Sequence, residues 1–244
     1  MPFLSLTIPV FNEEENLERL YAEITEAMKD RAGEYEVVVT DDASRYRSWE
    51  ILCQLSSQDP RWRVQRFAEN CGETAASAAA MKAARGDIIL TLDADLQNDP
   101  RDIPKFLEAM NSADCVCGTR VYQRADNWVR RASSRIANWV RNKLSDEEIS
   151  DAGCTYRAFR RELLRDIKLF RGAHRFLPTL FRMEGWKVVE IPITPRERFA
   201  GESKYGVWNR LFKSFADLLA VRWMKSRQLR YRVAERKGFD APGK

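Results

Sequence analysis

GDIILTLDADLQNDP, residues 86–100, carries an apolar run straight into two carboxylates, Asp93 and Asp95. A short apolar run bounded by Gly and Pro reads as a buried strand, the kind found in a parallel sheet with both faces covered. Acids at its end then stand at the carboxyl edge of the sheet, where open α/β sheets bind their ligands. If strand geometry continues through Asp93-Ala94-Asp95, both carboxylates point to one side, roughly 7 Å apart. At an effective dielectric of about 20 they repel by on the order of 2 kcal/mol. A divalent cation with oxygen ligands turns that repulsion into attraction. The alternative is a strand-end turn with solvated acids, since Asp is common in turns.

The segments before residue 86 repeat the arrangement. Apolar runs FLSLTIPV (3–10), EVVVTD (36–41) and DIILTLD (87–93) alternate with helical patterns near 13–30, 46–58 and 74–84, and RVQRF (63–67) supplies a further strand. The alternation predicts a doubly wound, mostly parallel α/β sheet with helices on both faces. Its carboxyl edge would bring together Pro9, Asn12 and Glu13, then Asp41 and Asp42, then Asp93 and Asp95. Neither a G-x-G-x-x-G fingerprint nor a P-loop is present.

Past Pro100 the pattern predicts a helix near 101–112, a short strand in ADCVCGTR (113–120), a helix within 124–144, a helix near 159–168 and a strand at 186–193. In the second of these helices Trp128, Ala132, Ile136, Trp139, Val140 and Leu144 recur at helical spacing, which is the spacing of packing residues. Arg131 and Arg135 lie one turn apart and share a face, solvated in the plainest reading. The polar, glycine-bearing segment PRERFAGESKYG (195–206) reads as a mobile loop.

With 244 residues and 44% hydrophobic content the chain can bury one substantial core. Five cysteines without C-x-x-C spacing argue against a disulfide framework and a zinc site. No run approaches the roughly 18 apolar residues of a spanning helix, and the first residues lack a signal-peptide pattern, so a cytoplasmic location is expected. Residues 1–117 hold 12 Lys+Arg against 22 Asp+Glu, a charge of −10, and residues 118–244 hold 29 against 14, a charge of +15. An acidic half with a metal pair and a basic half rich in Arg suit a polyanionic substrate shared between a cation and fixed positive groups. Nucleic acid competes for a basic face, but the tryptophans that would stack bases fall on a packing stripe.

Several blocks together resemble the inverting family 2 glycosyltransferases of the GT-A fold, in the branch that uses polyprenyl phosphates. They are IPVFNEEENL (8–17), VVVTDDAS (37–44), ENCGETAA (69–76), ARGDIILTLDADLQNDPRDIP (84–104), GTR with R-x-D-x-W (118–128), RRASSRIAN (130–138), DAGCTYRAFRR (151–161), HRFLPTL (174–180) and RFAGESKYG (198–206). The resemblance implies a catalytic domain over 1–205 and a basic amphipathic tail over 206–244. It implies that Pro9, Asn12, Glu13, Asp41, Asp42 and Asp93 line the nucleotide pocket and that Asp93, Asp95 and Gln97 hold Mg²⁺ or Mn²⁺ against the donor diphosphate. Arg120, Arg131 and Ser134 would bind acceptor or departing phosphates, with Asp95, Arg131 and Asp151 closest to the chemistry. Arg198, Ser203 and Lys204 would belong to a loop that closes over the substrates. The chain departs from the family pattern at DDAS, where DDGS is usual, and at Glu73, where a neutral residue or His is common.

The expected reaction is transfer of a sugar from a UDP- or GDP-sugar to a polyprenyl phosphate. Metal and cationic side chains would stabilise charge on the departing diphosphate. The second phosphate pKa lies near 6, so such an acceptor arrives ionised. Transfer to a saccharide or protein hydroxyl, with Asp151 as general base, is the enzymatic alternative. A nonenzymatic nucleotide-sugar-binding protein is the other. His174, the one histidine, reads as structural or phosphate-contacting. Residues 204–244, with 11 Lys+Arg against 3 Asp+Glu around Leu211, Phe212, Phe215, Leu218, Leu219, Trp223 and Met224, suit either an anionic membrane surface or packing on the catalytic domain. No pattern specifies an oligomer.

Overall fold

Seven strands form one mixed sheet in the order β3-β2-β1-β4-β6-β5-β7. They are β1 (Leu4–Val10), β2 (Tyr35–Asp41), β3 (Trp62–Arg66), β4 (Ile88–Thr91), β5 (Cys115–Thr119), β6 (Arg157–Arg160) and β7 (Val188–Pro192). The computed structural model describes residues 3–120, 151, 153–194, 196, 207–229, 233–235, 237 and 238, and of 207–215 the backbone alone. Arg131, Ser134, Arg198, Ser203, Lys204 and the helix expected within 124–144 lie outside the described residues.

The pairings of β1 with β2 and β4, of β2 with β3 and of β5 with β7 are parallel, and β6 runs antiparallel between β4 and β5. The mostly parallel sheet is therefore as expected, with one inserted strand that the pattern did not reveal. Residues near 159–168, expected as helix, form the end of β6 and a 3₁₀ turn at Arg161–Leu164. Both faces of β6 are buried, so Arg157, Ala158 and Phe159 all sit inside and the two-residue alternation of a half-exposed strand is lost.

Helices cover both faces. On one, Leu4, Leu6, Ile8 and Val10 of β1 pack with Leu17, Leu20 and Ile24 of α1 (Glu14–Ala27), Ile51, Leu52 and Leu55 of α2 (Ser48–Gln58) and Phe106 of α4 (Ile103–Ala109). In α1 these positions lie three, four and seven residues apart, and in α2 Ile51 and Leu52 each return to Leu55 one turn on, one stripe per helix. On the other face Ile89, Cys115, Cys117 and Phe159 pack with Met81 of α3 (Glu73–Ala83) and with Leu177 and Phe181 of α5 (Leu177–Met183). Leu218 and Val221 of α6 (Val207–Ser226) are buried against Ala173, Phe176 and Leu180.

Gly86 begins the decisive stretch for a steric reason. A Cβ there would lie 2.8 Å from the carbonyl carbon of Leu4 and the nitrogen of Ser5, inside van der Waals contact with backbone. Its N–H donates to the Ser5 hydroxyl, 2.8 Å away, which ties the entry of β4 to β1. That hydroxyl donates in turn to Glu36, whose carboxylate also receives Arg63 and the Arg85 N–H.

Candidate active site

The carboxyl ends of β1, β2, β4 and β5 and the amino end of the antiparallel β6 meet along one edge. Pro9, Asn12, Glu13, Asp41, Asp42, Asp93, Asp95, Gln97, Arg120 and Asp151 all belong to that edge. The topology thus gathers the expected site residues that fall within the described chain.

β4 ends at Thr91, two residues before Asp93, so the paired carboxylates are not presented by strand alternation as the sequence suggested. A turn presents them instead. The Gln97 N–H donates to Oδ1 of Asp95, 3.1 Å away, and Leu96 adopts φ 61, so the chain folds back on itself directly after the strand. Asp95 takes the local turn contact, while Asp93 faces inward and accepts the hydroxyl of Thr155 at Oδ2. Thr91 donates to the Thr155 carbonyl, so β4 holds the loop that carries this partner. Burial pushes Asp93 up to about 7, and the charges of Asp95 and Glu73 push the same way. The Thr155 hydroxyl and the positive charge of Arg120 oppose them.

This donor set suits a hard divalent cation. Two carboxylates are enough protein ligand for an ion such as Mg²⁺, which commonly keeps water and substrate phosphate as its other ligands. Among the described residues no group of three or more His, Cys, Asp or Glu could hold a metal ion by itself. The crowding of negative charge at Asp93 is what a cation relieves.

Arg120, directly after β5, forks onto Asp151. Its Nε lies 2.9 Å from Oδ2 and its Nη2 3.3 Å from Oδ1. The Arg120 N–H reaches Oδ2 at 3.3 Å as well. Burial works against the Arg120 charge, but the contact with Asp151 outweighs it and the guanidinium is held above its ordinary value. Sequence reasoning put these two residues in separate roles; the structure makes them one unit.

Asp41 and Asp42 are buried and largely engaged. Asp41 accepts from the Ser44 hydroxyl and N–H and pairs with Arg66 at 3.1 Å. Asp42 accepts from the Cys71 and Gly72 N–H groups at 2.7 and 2.9 Å and from Asn70 at 2.9 Å, tethering the start of α3. Burial raises Asp42 from its ordinary range in spite of those donors, and the neighbouring Asp41 charge adds to the rise. Asn12, at φ 54, donates its N–H to the Ser44 hydroxyl and accepts from the Arg45 N–H at its side chain. Glu13 donates its N–H to Ser48. These residues shape the ends of β1 and β2 through backbone contacts.

Thr155 is the site residue that sequence reasoning missed, although it lies inside the quoted block DAGCTYRAFRR. A threonine carries no signal of its own for a carboxylate partner 62 residues away. Arg157 was missed for a similar reason. It is fully buried and donates to the His174 carbonyl. His174 itself sits by the same cleft, its Nδ1 2.7 Å from the Thr74 hydroxyl.

Known proteins share this fold and part of this sequence. The model of glycosyl transferase family 2 matches residues 5–168, more than half of the chain. Undecaprenyl-phosphate 4-deoxy-4-formamido-L-arabinose transferase of Edwardsiella ictaluri is 37% identical over 219 residues, 89% of this chain and 67% of that protein. The chain spans 63% to 67% of the length of three such transferases. Among solved structures, glucosyl-3-phosphoglycerate synthase from Mycobacterium tuberculosis in complex with Mg²⁺ and uridine-diphosphate has a TM-score of 0.66 at 17% identity, covering 92% of this chain and 79% of that one. A mannosyltransferase from Pyrobaculum calidifontis in complex with GDP-Man and Mn²⁺ has a TM-score of 0.59 at 19% identity, covering 93% and 70%. The family model and the relatives define a glycosyltransferase, and the fold is GT-A. The chain belongs to glycosyltransferase family 2, in the polyprenyl-phosphate branch that its curated relatives represent.

Proposed function

We propose that the chain transfers a sugar, with inversion, from a nucleoside diphosphate sugar to a polyprenyl phosphate, with undecaprenyl phosphate as the first acceptor to test. The observation that carries the choice of acceptor is the Arg120–Asp151 fork, since both oxygens of the only carboxylate proposed as a base already accept from a guanidinium. A hydroxyl acceptor needs a base contributing about 100- to 10,000-fold, and Asp151 is poorly placed to supply it. A phosphate acceptor needs none, because it reaches the site largely ionised with a second pKa of about 6. The names of the relatives support the same acceptor, and their 4-deoxy-4-formamido-L-arabinose is a donor sugar worth trying early.

Asp93 and Asp95 would hold Mg²⁺ or Mn²⁺, and Gln97 lies in the same turn. Solved structures that share the fold are complexes with GDP-Man and Mn²⁺ and with uridine-diphosphate and Mg²⁺, which supports this reading. The ion would offset the charge of the donor diphosphate. Thr155 orients Asp93, and Arg120 with Asp151 places a fixed dipole by the reacting groups. Arg131, Ser134, Arg198, Ser203 and Lys204 remain the candidates for the further phosphate contacts.

The acceptor is a lipid, and no helix among the described residues is long and apolar enough to cross a membrane. The packed side of α6 is Leu218 and Val221, while Leu219 and Trp223 are exposed beside Arg222, Lys225 and Arg227. That outward face suits peripheral contact with anionic lipid at the inner face of the cytoplasmic membrane, at about 1 kcal/mol for each basic residue near the surface. Flotation with vesicles containing anionic lipid at low and high salt tests it. Salt-sensitive binding is expected, and an absence of binding at low salt contradicts it.

A further inference from the structure

A small pocket opens between the first turns of α3 and the ends of β1, β4 and β6. Glu73, Asp93, Thr155, Arg157 and His174 give it a polar lining, and Met81, Leu92 and Leu177 an apolar one. Asp93, the carboxylate assigned above to the metal, is one of its walls.

The polar side is organised by a chain of hydrogen bonds. The Thr74 oxygen accepts the Gly172 N–H at 2.9 Å, which leaves the hydroxyl proton available to His174 Nδ1 at 2.7 Å. The Nε2 of the same ring lies 3.5 Å from Oε1 of Glu73. Arg157 holds the His174 backbone from beneath through the carbonyl. Glu73 is thus turned toward the pocket by one contact, and among the described residues its other oxygen has no partner.

The chemistry of the lining selects its ligand. The Glu73 carboxylate repels a phosphate, and the one guanidinium of the lining, Arg157, is turned to the His174 carbonyl. A nucleobase would look for an aromatic platform, and among the described lining residues the imidazole of His174 is the one aromatic ring. What fits is the edge of a neutral ring that carries hydroxyl groups on an apolar frame. A carboxylate takes hydroxyl protons in strong, charge-assisted hydrogen bonds.

We propose that Glu73, oriented by His174, accepts a hydrogen bond from a hydroxyl of the donor sugar and so sets which sugar is transferred. The proposal rests on the donor reading given above. It makes Glu73, where the family pattern carries another residue, a specificity determinant of this chain.

The test compares wild type with Glu73→Gln and Glu73→Asp in Mn²⁺. The probes are UDP, GDP, UDP-glucose, GDP-mannose and the monodeoxy analogues of whichever sugar nucleotide the wild type binds more tightly. Wild type should disfavour one deoxy analogue by about 10- to 100-fold in kcat/KM. Glu73→Gln should lose that preference, with affinity for the bare nucleotide unchanged within about twofold. Glu73→Asp should keep part of it. A deoxy preference that persists in Glu73→Gln overturns this assignment alone, as does an equal loss of affinity for UDP or GDP, which would make Glu73 a nucleoside contact. Wild type that binds none of these nucleotides overturns the donor reading itself.

Discussion

Arg120 and Asp151 are joined through both carboxylate oxygens, Nε to Oδ2 at 2.9 Å and Nη2 to Oδ1 at 3.3 Å, across the gap between the end of β5 and the loop that enters β6. Two residues 31 positions apart therefore act as one positioned dipole at the carboxyl edge of the sheet. Lysine keeps the charge but cannot form the fork.

Arg120→Lys and Asp151→Asn should each lower kcat/KM by about 10- to 100-fold, as expected for loss of a charge-assisted hydrogen bond. The double variant should fall little further than the worse single one, because the two share a single interaction. Steady-state kinetics of the four proteins check this. Multiplying losses would show that the two residues act separately.

Metal binding should depend on pH through Asp93. Its folded pKa of about 7 lies above the ordinary 3.8, so the apo protein prefers Asp93 protonated and loses stability as pH rises through that window. A cation needs the deprotonated form, so its affinity should weaken about tenfold per pH unit below 7 and level off above it. Mn²⁺ titrations between pH 5.5 and 8.5 read this directly. Asp93→Asn should bind weakly at every pH, and a flat profile in wild type would contradict the assignment.

Thr155 supplies the hydrogen bond that opposes the rise at Asp93. Thr155→Val, nearly the same shape without the hydroxyl, should weaken Mn²⁺ binding at pH 7 by about 10- to 100-fold, and Thr155→Ser should retain most of it. Equal binding by all three proteins would reduce Thr155 to a packing residue.

Ala43 stands at φ 57 in the turn after β2, where the family pattern has glycine. A side chain in the left-handed region costs about 1–2 kcal/mol, part of which glycine returns as entropy of the unfolded chain. Ala43→Gly should be more stable by about 0.5–1 kcal/mol, a rise in Tm of roughly 1–4 °C for a chain of this size. A lower Tm would mean that the Ala43 methyl makes compensating contacts.

The parallel half of the fold is legible because β1, β2 and β4 are apolar runs separated by amphipathic helices, and the strand ends carry the acids that mark the edge. β6 is hidden because Arg157 is a charged residue in a strand buried on both faces, a placement that periodicity reads as surface. The acidic pair is legible as residue types but not as geometry. Strand alternation suggested how the carboxylates are displayed, whereas the Asp95–Gln97 turn and the Thr155 contact decide it. Contacts such as Thr155 with Asp93 and Thr74 with His174 join residues 62 and 100 positions apart, and no local pattern encodes them.

One comparison separates a phosphate acceptor from a hydroxyl acceptor. A short polyprenyl phosphate and the matching polyprenol are supplied side by side with Mn²⁺ and the donor that most raises the Tm of the wild type. Product should form on the phosphate, with a rate above pH 7 that does not depend on a carboxylate base, and none on the alcohol. Transfer to the alcohol with none to the phosphate would contradict the account.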